Sequence, residues 1–160
     1  MLKCLDMKPK NKYLKHAHIS EHKFREILMY FCADETATKT SFYTKIGRTT
    51  VNRIFTLLRE RILLLVQEED KTVSGSIELD ESYFGPRHII YHSQNEFARG
   101  KNHVNGIESF WSYTKRRLSK FNGIKKERFP VFLKESQYRF NHRKDDVYAI
   151  LLKELKKRAL

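Results

Sequence analysis

The chain has 160 residues, of which 40% are apolar and 12% aromatic, enough for one ordinary domain or two small ones. Thirty-two Lys and Arg against 19 Asp and Glu give a net charge of +13, which favours a polyanionic partner such as nucleic acid over a merely solvated basic surface. The isolated cysteines Cys4 and Cys32 argue against a disulfide framework or a zinc ribbon. No apolar run approaches the ~18 residues of a membrane span, and the charged N-terminus lacks a signal-peptide core. We therefore expect a cytoplasmic protein with no membrane partner.

Residues 1–20 are basic and weakly patterned, which predicts a loose basic arm. Three closely spaced histidines in and after it could suggest a metal cluster, but the pattern offers no fourth ligand. From Glu21 to about Ala33, apolar residues recur at helical spacing and predict a first helix. Its predicted inward stripe is Phe24, Ile27, Leu28 and Phe31.

A second, shorter helix and a long third one are predicted to follow. Asp34 is a candidate N-cap of the second helix, Gly47 is a natural turn residue, and Thr49 or Thr50 can cap the third helix. The predicted inward stripe of the third helix is Val51, Ile54, Leu58, Ile62 and Leu65.

Helix, short helix, glycine turn and helix is the order of a helix-turn-helix, so residues 21–70 are predicted to form a DNA-binding region. The alternative is a three-helix packing unit without a ligand, but the basic and hydroxyl side chains at the turn favour DNA. The side chains predicted to meet base edges or phosphates are Arg48, Thr49, Thr50, Asn52 and Arg53.

Residues 68–71 and the stretch up to Ser76 predict a linker. From Ile77 to Phe84, residues alternate in a period of two with β-favouring ends, which predicts a strand that Gly85-Pro86 ends. Glu78 and Asp80 would point to the same side of this strand, and two such carboxylates repel each other unless a cation or a basic partner lies near.

A polar loop then leads into a helix from Val104 with two different faces. Its predicted buried stripe is Ile107, Phe110, Trp111, Thr114, Leu118 and Phe121. Its predicted polar face is Asn105, Glu108, Ser112, Lys115 and Ser119. A carboxylate with a lysine seven residues later on the same side makes this face a candidate functional surface. Asn105-x-x-Glu108 equally fits a capping box, with Asn105 at the N-cap.

Two more helices are predicted near the C-terminus. Gly123 is a candidate stop for the Val104 helix, a further helix runs from about Glu127 to Phe140, and Asp146 can cap a last helix whose basic tail frays. From Phe97 to Lys144 there are thirteen Lys and Arg but three glutamates, so this segment also favours nucleic acid. Its further predicted DNA contacts are Lys101, Arg116 and Arg117.

Carboxylate oxygens hold hard divalent metals, and phosphoryl transfer on DNA commonly uses two such ions about 4 Å apart. A strand carboxylate (Asp80) and a helix carboxylate (Glu108) that met across the fold would suit that chemistry. Spacing alone favours the capping interpretation of Glu108 over a role as a metal ligand.

Three stretches carry a resemblance to a known family: LDESYFGPR at 79–87, NEFARGKNHVNGIESFWSYTKRRLSKFNGI at 95–124 and YRFNHR at 138–143. They resemble the DDE transposases of small bacterial insertion sequences of the ISXO-like group. The resemblance covers residues 77–143, and the predicted helix-turn-helix occupies the place of the family's DNA-binding part.

The resemblance implies an α+β, mainly helical fold, in which an N-terminal helix-turn-helix precedes a ribonuclease-H-like catalytic domain that transfers DNA strands with Mg²⁺. It places the family's first catalytic aspartate at Asp80 and its final glutamate at Glu108, both as metal ligands. The family's lysine falls on Lys115, and Asn105 becomes a residue that supports the ligands.

One catalytic residue of the family has no counterpart in this chain. The family carries a second aspartate between these motifs, whereas the acids between Asp80 and Glu108 are Glu81 and Glu96. The stretch 85–93 is also too short for the strands and the helix that the family has there, so residues 86–88 resemble a seam where an internal block was lost.

Residues 77–160 are therefore interpreted as a truncated, incomplete catalytic domain. Of two hypotheses, a working transposase and a catalytically defective remnant that binds the double-stranded ends of an insertion element, the sequence favours the second. Whether the chain forms a homo-oligomer is left open.

Overall fold

The computed structural model of the protein describes residues 11–15, 17–72, 104–121 and 123–160, with the backbone alone for residues 69–72 and 104–107. These residues are mainly helical, and no strand occurs among them. The predicted strand Ile77–Phe84 and the seam near 86–88 lie outside the described residues. Six α-helices follow in chain order: α1 (Glu21–Cys32), α2 (Ala37–Thr44), α3 (Arg48–Thr72), α4 (Val104–Leu118), α5 (Phe129–Asn141) and α6 (Val147–Lys157). A short 3₁₀ helix, Lys126–Arg128, precedes α5.

Side-chain caps fix the start of the first and last helices. The Ser20 hydroxyl accepts a hydrogen bond from the Lys23 amide at the start of α1. Asp146 Oδ1 accepts one from the Ala149 amide at 3.0 Å, which confirms Asp146 as the cap of α6. Such caps satisfy amides that lack a partner inside the helix.

The cap of α2 differs from the prediction. Thr36, not Asp34, precedes the helix, and its Oγ1 accepts a hydrogen bond from the Lys39 amide. Asp34 instead adopts a left-handed backbone conformation with φ of 59°. This conformation turns the chain out of α1 and directs the Asp34 carboxylate toward Arg117, so it cannot cap α2.

The turn between α2 and α3 also differs from the prediction. Its left-handed residue is Lys45, with φ of 58°, and not Gly47. Helix α3 begins at Arg48, and the Gly47 carbonyl accepts the hydrogen bond from the Val51 amide. Thr49 and Thr50 therefore lie inside the first turn of α3 and do not cap it.

The long helix α3 buries the predicted stripe. Val51, Ile54, Leu58 and Ile62 are fully buried or nearly so, with Leu65 half-buried beside them. The helix continues to Thr72, so the prediction of a linker at residues 68–71 is wrong. Good helix formers such as Glu and Lys fill this last part, and they favour continuation of the helix.

The described residues of the predicted DNA-binding region (21–70) and of the predicted catalytic domain (77–160) share one hydrophobic core. Helix α5 packs on α3 and α4, and α6 packs on α1. The fully buried core side chains come from both segments: Phe24, Ile27, Leu28, Phe31, Val51, Ile54, Phe55, Leu58, Ile62, Val66, Tyr138, Leu151 and Leu155.

Part of the predicted loose arm is packed into this core. Tyr13 is fully buried, stacks on Phe24 with ring centroids 5.5 Å apart, and accepts a hydrogen bond from Arg25 at 2.7 Å. Backbone hydrogen bonds then join this stretch to the C-terminus, from the Lys15 amide to the Leu160 carbonyl and from the Leu160 amide to the Tyr13 carbonyl. The expectation of a loose arm is wrong for Tyr13 and Lys15. The tail expected to fray, Lys153 to Arg158, is helical as far as Lys157.

Candidate nucleic-acid interface

The start of α3 presents to solvent the five side chains through which the helix-turn-helix is predicted to contact DNA. Arg48, Thr49, Thr50, Asn52 and Arg53 are each exposed, whereas Val51 between them is fully buried. Val51 in the first turn and Ile54 and Phe55 in the second anchor the helix, and the other positions of these two turns face outward. The first residues of α3 therefore form a polar and basic surface that a ligand can reach.

Hydroxyl groups on α2 fix the turn that precedes this surface. Thr40 and Thr44 are fully buried where α2 packs on α3, and each donates a hydrogen bond to the carbonyl one turn earlier. Ser41 Oγ donates to the Ile46 carbonyl at 2.7 Å and so ties the turn back to α2. The orientation of the first turn of α3 is set by these bonds and by the burial of Val51.

An open groove of about 950 Å³ lies beside the same part of α3. One side is the first part of α3, from Arg48 to Glu60, with the start of α2 beside it. The other side is the segment that joins α4 to α5, together with the first turn of α5. This second side also contributes apolar side chains, namely Phe121, Ile124, Val131 and Phe132. The charged residues that line it are five bases and one acid: Arg48, Arg59, Lys120, Lys125, Arg128 and Glu60. The groove therefore carries a positive charge next to the exposed start of α3.

The polar face of α4 agrees with the sequence prediction. Glu108, Ser112, Lys115 and Ser119 are exposed, while Thr114 on the opposite side is fully buried. Phe110 packs edge-on against Phe140 of α5, with centroids 5.5 Å apart.

The other residues predicted near Glu108 are described only in part. Helix α4 begins at Val104, so Asn105 lies inside its first turn and not at the N-cap. The side chain of Asn105 is outside the described residues, as are Asp80 and Lys101. Helix α4 ends at Leu118, five residues before Gly123, whose φ of 78° belongs to the following turn.

The described residues do not by themselves fit a Mg²⁺ site. Glu108 stands exposed on α4, and its predicted partner Asp80 is outside the described part of the chain. Within the part of the chain that the structure describes, no three His, Cys, Asp or Glu side chains form a group that could hold a metal ion. A two-metal centre requires several carboxylates that share their cations.

Of the two neighbouring arginines on α4 that were predicted to contact DNA, Arg116 is exposed but Arg117 is not. The side chain of Arg117 is 2% exposed, and its Nη2 lies 2.6 Å from Glu135 Oε1 and 2.8 Å from Asp34 Oδ1. Arg117 Nη1 also donates to Ser136 Oγ at 2.8 Å. The prediction that Arg117 contacts DNA is therefore corrected, because its guanidinium is held inside the protein by two carboxylates.

A buried ion-pair network surrounds Arg117, and its other members were not predicted. The side chain of Glu135 is 1% exposed. Besides its ion pair with Arg117, it forms ion pairs with Arg59 Nε at 2.8 Å and with Arg139 Nη2 at 2.9 Å. Burial alone would raise the pKa of the Glu135 carboxyl, but the guanidinium groups of Arg139, Arg59 and Arg117 outweigh burial and lower that pKa to about 2. The spacing of Glu135 and Arg139, four residues apart on a helix, was the one sequence signal of this network.

Comparison with known proteins gives one informative similarity. Over 82 residues, the chain is 43% identical to an uncharacterized transposase-like protein of Haemophilus influenzae, and the match covers 51% of this chain and 65% of that relative. The match thus spans less than two thirds of the relative's own length. No family model matches the chain, and no solved structure matches it. None of the described helices combines the length and apolar character needed to cross a membrane. The similarity supports a relationship between this chain and transposase-like proteins.

Proposed function

We propose that this transposase-related chain binds double-stranded DNA at the ends of an insertion element, with α1, α2 and α3 acting as a helix-turn-helix. The observation that carries the proposal is the exposure of Arg48, Thr49, Thr50, Asn52 and Arg53 on the first two turns of α3. The net charge of +13 and the similarity to a transposase-like protein support it.

The side chains at the start of α3 have the chemistry that duplex DNA requires. Arg48 and Arg53 can donate two hydrogen bonds each to guanine O6 and N7 or to a phosphate, and Asn52 can pair with adenine N6 and N7 or donate to a phosphate. The hydroxyls of Thr49 and Thr50 suit phosphate oxygens, as do backbone amides at a helix N-terminus. In a helix-turn-helix the N-terminal residues of the recognition helix are the ones that enter the major groove.

We further propose that the chain does not cleave DNA strands. Between Asp80 and Glu108 the sequence supplies no second aspartate, and the acids there are Glu81 and Glu96. Two carboxylates without a bridging third ligand are a poor centre for two-metal phosphoryl transfer. The ribonuclease-H-like domain is, in this proposal, an incomplete remnant.

Binding can be tested with the full chain and fluorescent duplexes taken from the DNA that flanks its coding region. Fluorescence anisotropy should show an affinity that falls with salt, because Lys and Arg contacts release counterions. Arg48→Ala and Arg53→Ala should each weaken binding by roughly 1–3 kcal/mol if they contact bases. Lys153→Ala, an exposed change on α6, serves as the control and should bind like the unaltered chain. Equal affinity of all three variants would show that α3 is not the recognition helix.

The absence of cleavage needs a separate assay. The purified chain is incubated with end-containing supercoiled plasmid in Mg²⁺ or Mn²⁺, and neither nicked nor joined products are expected. Asp80→Ala and Glu108→Ala should leave DNA binding unchanged. Metal-dependent nicking that Asp80→Ala abolishes would make the chain a working transposase and overturn this part of the proposal.

A further inference from the structure

Basic residues line the groove beside α3 from two sides, and the two sets belong to different parts of the chain. Arg48, Asn52 and Thr56 line it from α3, at spacings of four residues, and Lys125 and Arg128 line it from the segment before α5. Both sets are donors to phosphate oxygens. Lys125, Arg128 and Arg48 are all exposed, so their charged groups are open to solvent.

The start of α3 carries two stripes of side chains that are neighbours on the helix surface. Residues 48, 52 and 56 form the stripe that faces the groove, and residues 49 and 53 form the next stripe outward, since one residue advances the helix by about 100°. A duplex that contacted both stripes would bring one of its backbones beside the groove.

The opposite wall of the groove is held in place by specific bonds. The Lys125 carbonyl accepts hydrogen bonds from the amides of Arg128 and Phe129, which closes the 3₁₀ turn. Pro130 stands in the first turn of α5, where its fixed φ suits a helix start. Arg128 Nη1 reaches across to Thr56 Oγ1 on α3 at 3.3 Å. Lys125 and Arg128 are thus presented from a fixed turn opposite α3.

Two of the five basic groups in the groove are neutralised by ion pairs within the protein. Arg59 pairs with buried Glu135, and its guanidinium lies 4.2 Å from the centre of the Phe132 ring. Lys120 pairs with the carboxylate and the carbonyl oxygen of Asp34. A ligand of the groove therefore meets the three remaining bases Arg48, Lys125 and Arg128, together with the exposed carboxylate of Glu60.

We propose that this groove binds the sugar-phosphate backbone of the duplex that α3 contacts, with Lys125 and Arg128 as phosphate-binding residues outside the helix-turn-helix. The inference rests on the proposed DNA binding and adds a second point of attachment to it. The open shape and the run of donors along α3 suit a continuous strand with several phosphates. Contacts of this kind add affinity and fix the orientation of the protein without selecting a base sequence.

The test compares two double variants of the full chain that remove the same charge. Lys125→Gln with Arg128→Gln alters the groove, and Lys153→Gln with Lys156→Gln alters exposed positions of α6. Anisotropy is measured over a range of salt concentrations with an end-derived duplex and with a scrambled one. The groove variant should lose about 0.9 of the log–log salt slope for each phosphate contact removed, and should weaken on both duplexes by a similar factor. The α6 variant should keep the slope of the unaltered chain.

Each other outcome has a defined meaning. A groove variant that matches the α6 variant overturns the inference while the DNA-binding proposal stands, and an unaltered chain that binds no DNA overturns both. A further experiment measures the binding of inorganic phosphate by calorimetry. If the unaltered chain binds phosphate and the groove variant does not, while both bind DNA equally well, the groove is a site for a small anion. That result would overturn the inference. Lys125→Gln alone keeps the bond between Arg128 and Thr56. This single variant should show about half of the slope change of the double variant, so the test does not depend on whether the double variant folds.

Discussion

Arg117 Nη2 lies 2.6 Å from Glu135 Oε1, and this ion pair joins α4 to α5 inside the protein. Glu135 also forms ion pairs with Arg59 of α3 and with Arg139 of its own helix. Asp34, which lies between α1 and α2, forms an ion pair with Arg117. Arg139 in turn donates to the carbonyls of Phe31 and Cys32 at the end of α1. One buried network thus fixes α4, which carries Glu108 and Lys115, against the helices that present the candidate DNA surface.

The first prediction concerns removal of the central carboxylate. Glu135→Gln leaves three guanidinium groups around a neutral side chain, and an unbalanced buried charge costs about 3–5 kcal/mol. The free energy of unfolding, measured by urea titration followed by circular dichroism, should fall by that amount. Glu60→Gln removes the same charge from an exposed position of α3 and should change it by less than about 0.5 kcal/mol. Equal losses in the two variants would contradict a stabilising role for the network.

The second prediction follows from the pKa of Glu135, which is lowered to about 2 in the folded chain. In the unfolded chain this carboxyl has an ordinary pKa near 4.5. The lowered pKa therefore contributes stability above about pH 4.5 that is lost as pH falls toward 2, at most about 3 kcal/mol. Urea titrations from pH 6 to pH 2 should show this loss, and Glu135→Gln should flatten the curve over the same range. A variant curve parallel to that of the unaltered chain would refute the assignment.

The helices and their faces could be predicted from the sequence because they depend on local spacing. Val51, Ile54, Leu58 and Ile62 recur at helical intervals, and one helix face must be buried for α3 to be stable. Asp146 shows its role as a cap by standing just before an apolar run. The same reasoning separated the exposed Glu108 face of α4 from its buried side.

The ion-pair network could not be predicted because its partners are distant in sequence. Arg117 looks like an ordinary basic surface residue until Asp34, 83 positions earlier, and Glu135 are placed beside it. Asp34 and Thr36 are both good candidate caps, and local sequence does not distinguish them. The choice depends on the left-handed backbone at Asp34, which Arg117 and Lys120 help to hold.

The third prediction separates the charge of Asp34 from its backbone conformation. Asp34→Asn tolerates the left-handed conformation but removes the charged partner of Arg117, so it should lose about 1.5–3 kcal/mol of unfolding free energy. Asp34→Ala and Asp34→Gly both remove the side chain, but only alanine strains the backbone at φ of 59°. The Asp34→Ala variant should therefore have a free energy of unfolding about 1 kcal/mol lower than that of the Asp34→Gly variant. An alanine variant as stable as the glycine variant would show that the left-handed conformation carries no cost.

The fourth prediction concerns the free thiol of Cys32, at the end of α1. Burial raises the pKa of this thiol to about 12, from an ordinary value of 9.0. Because the thiolate is the nucleophile, a rise of this size lowers the reactive fraction at pH 8 by about a thousandfold. Iodoacetamide should therefore modify Cys32 slowly in the folded chain and within minutes in guanidinium chloride. Peptide mass spectrometry resolves Cys32 from Cys4, and the unfolded chain provides the control for intrinsic reactivity. Labelling of Cys32 at the same rate in both conditions would mean that the end of α1 opens readily, and that the Arg139 bonds to its last carbonyls do not hold it closed.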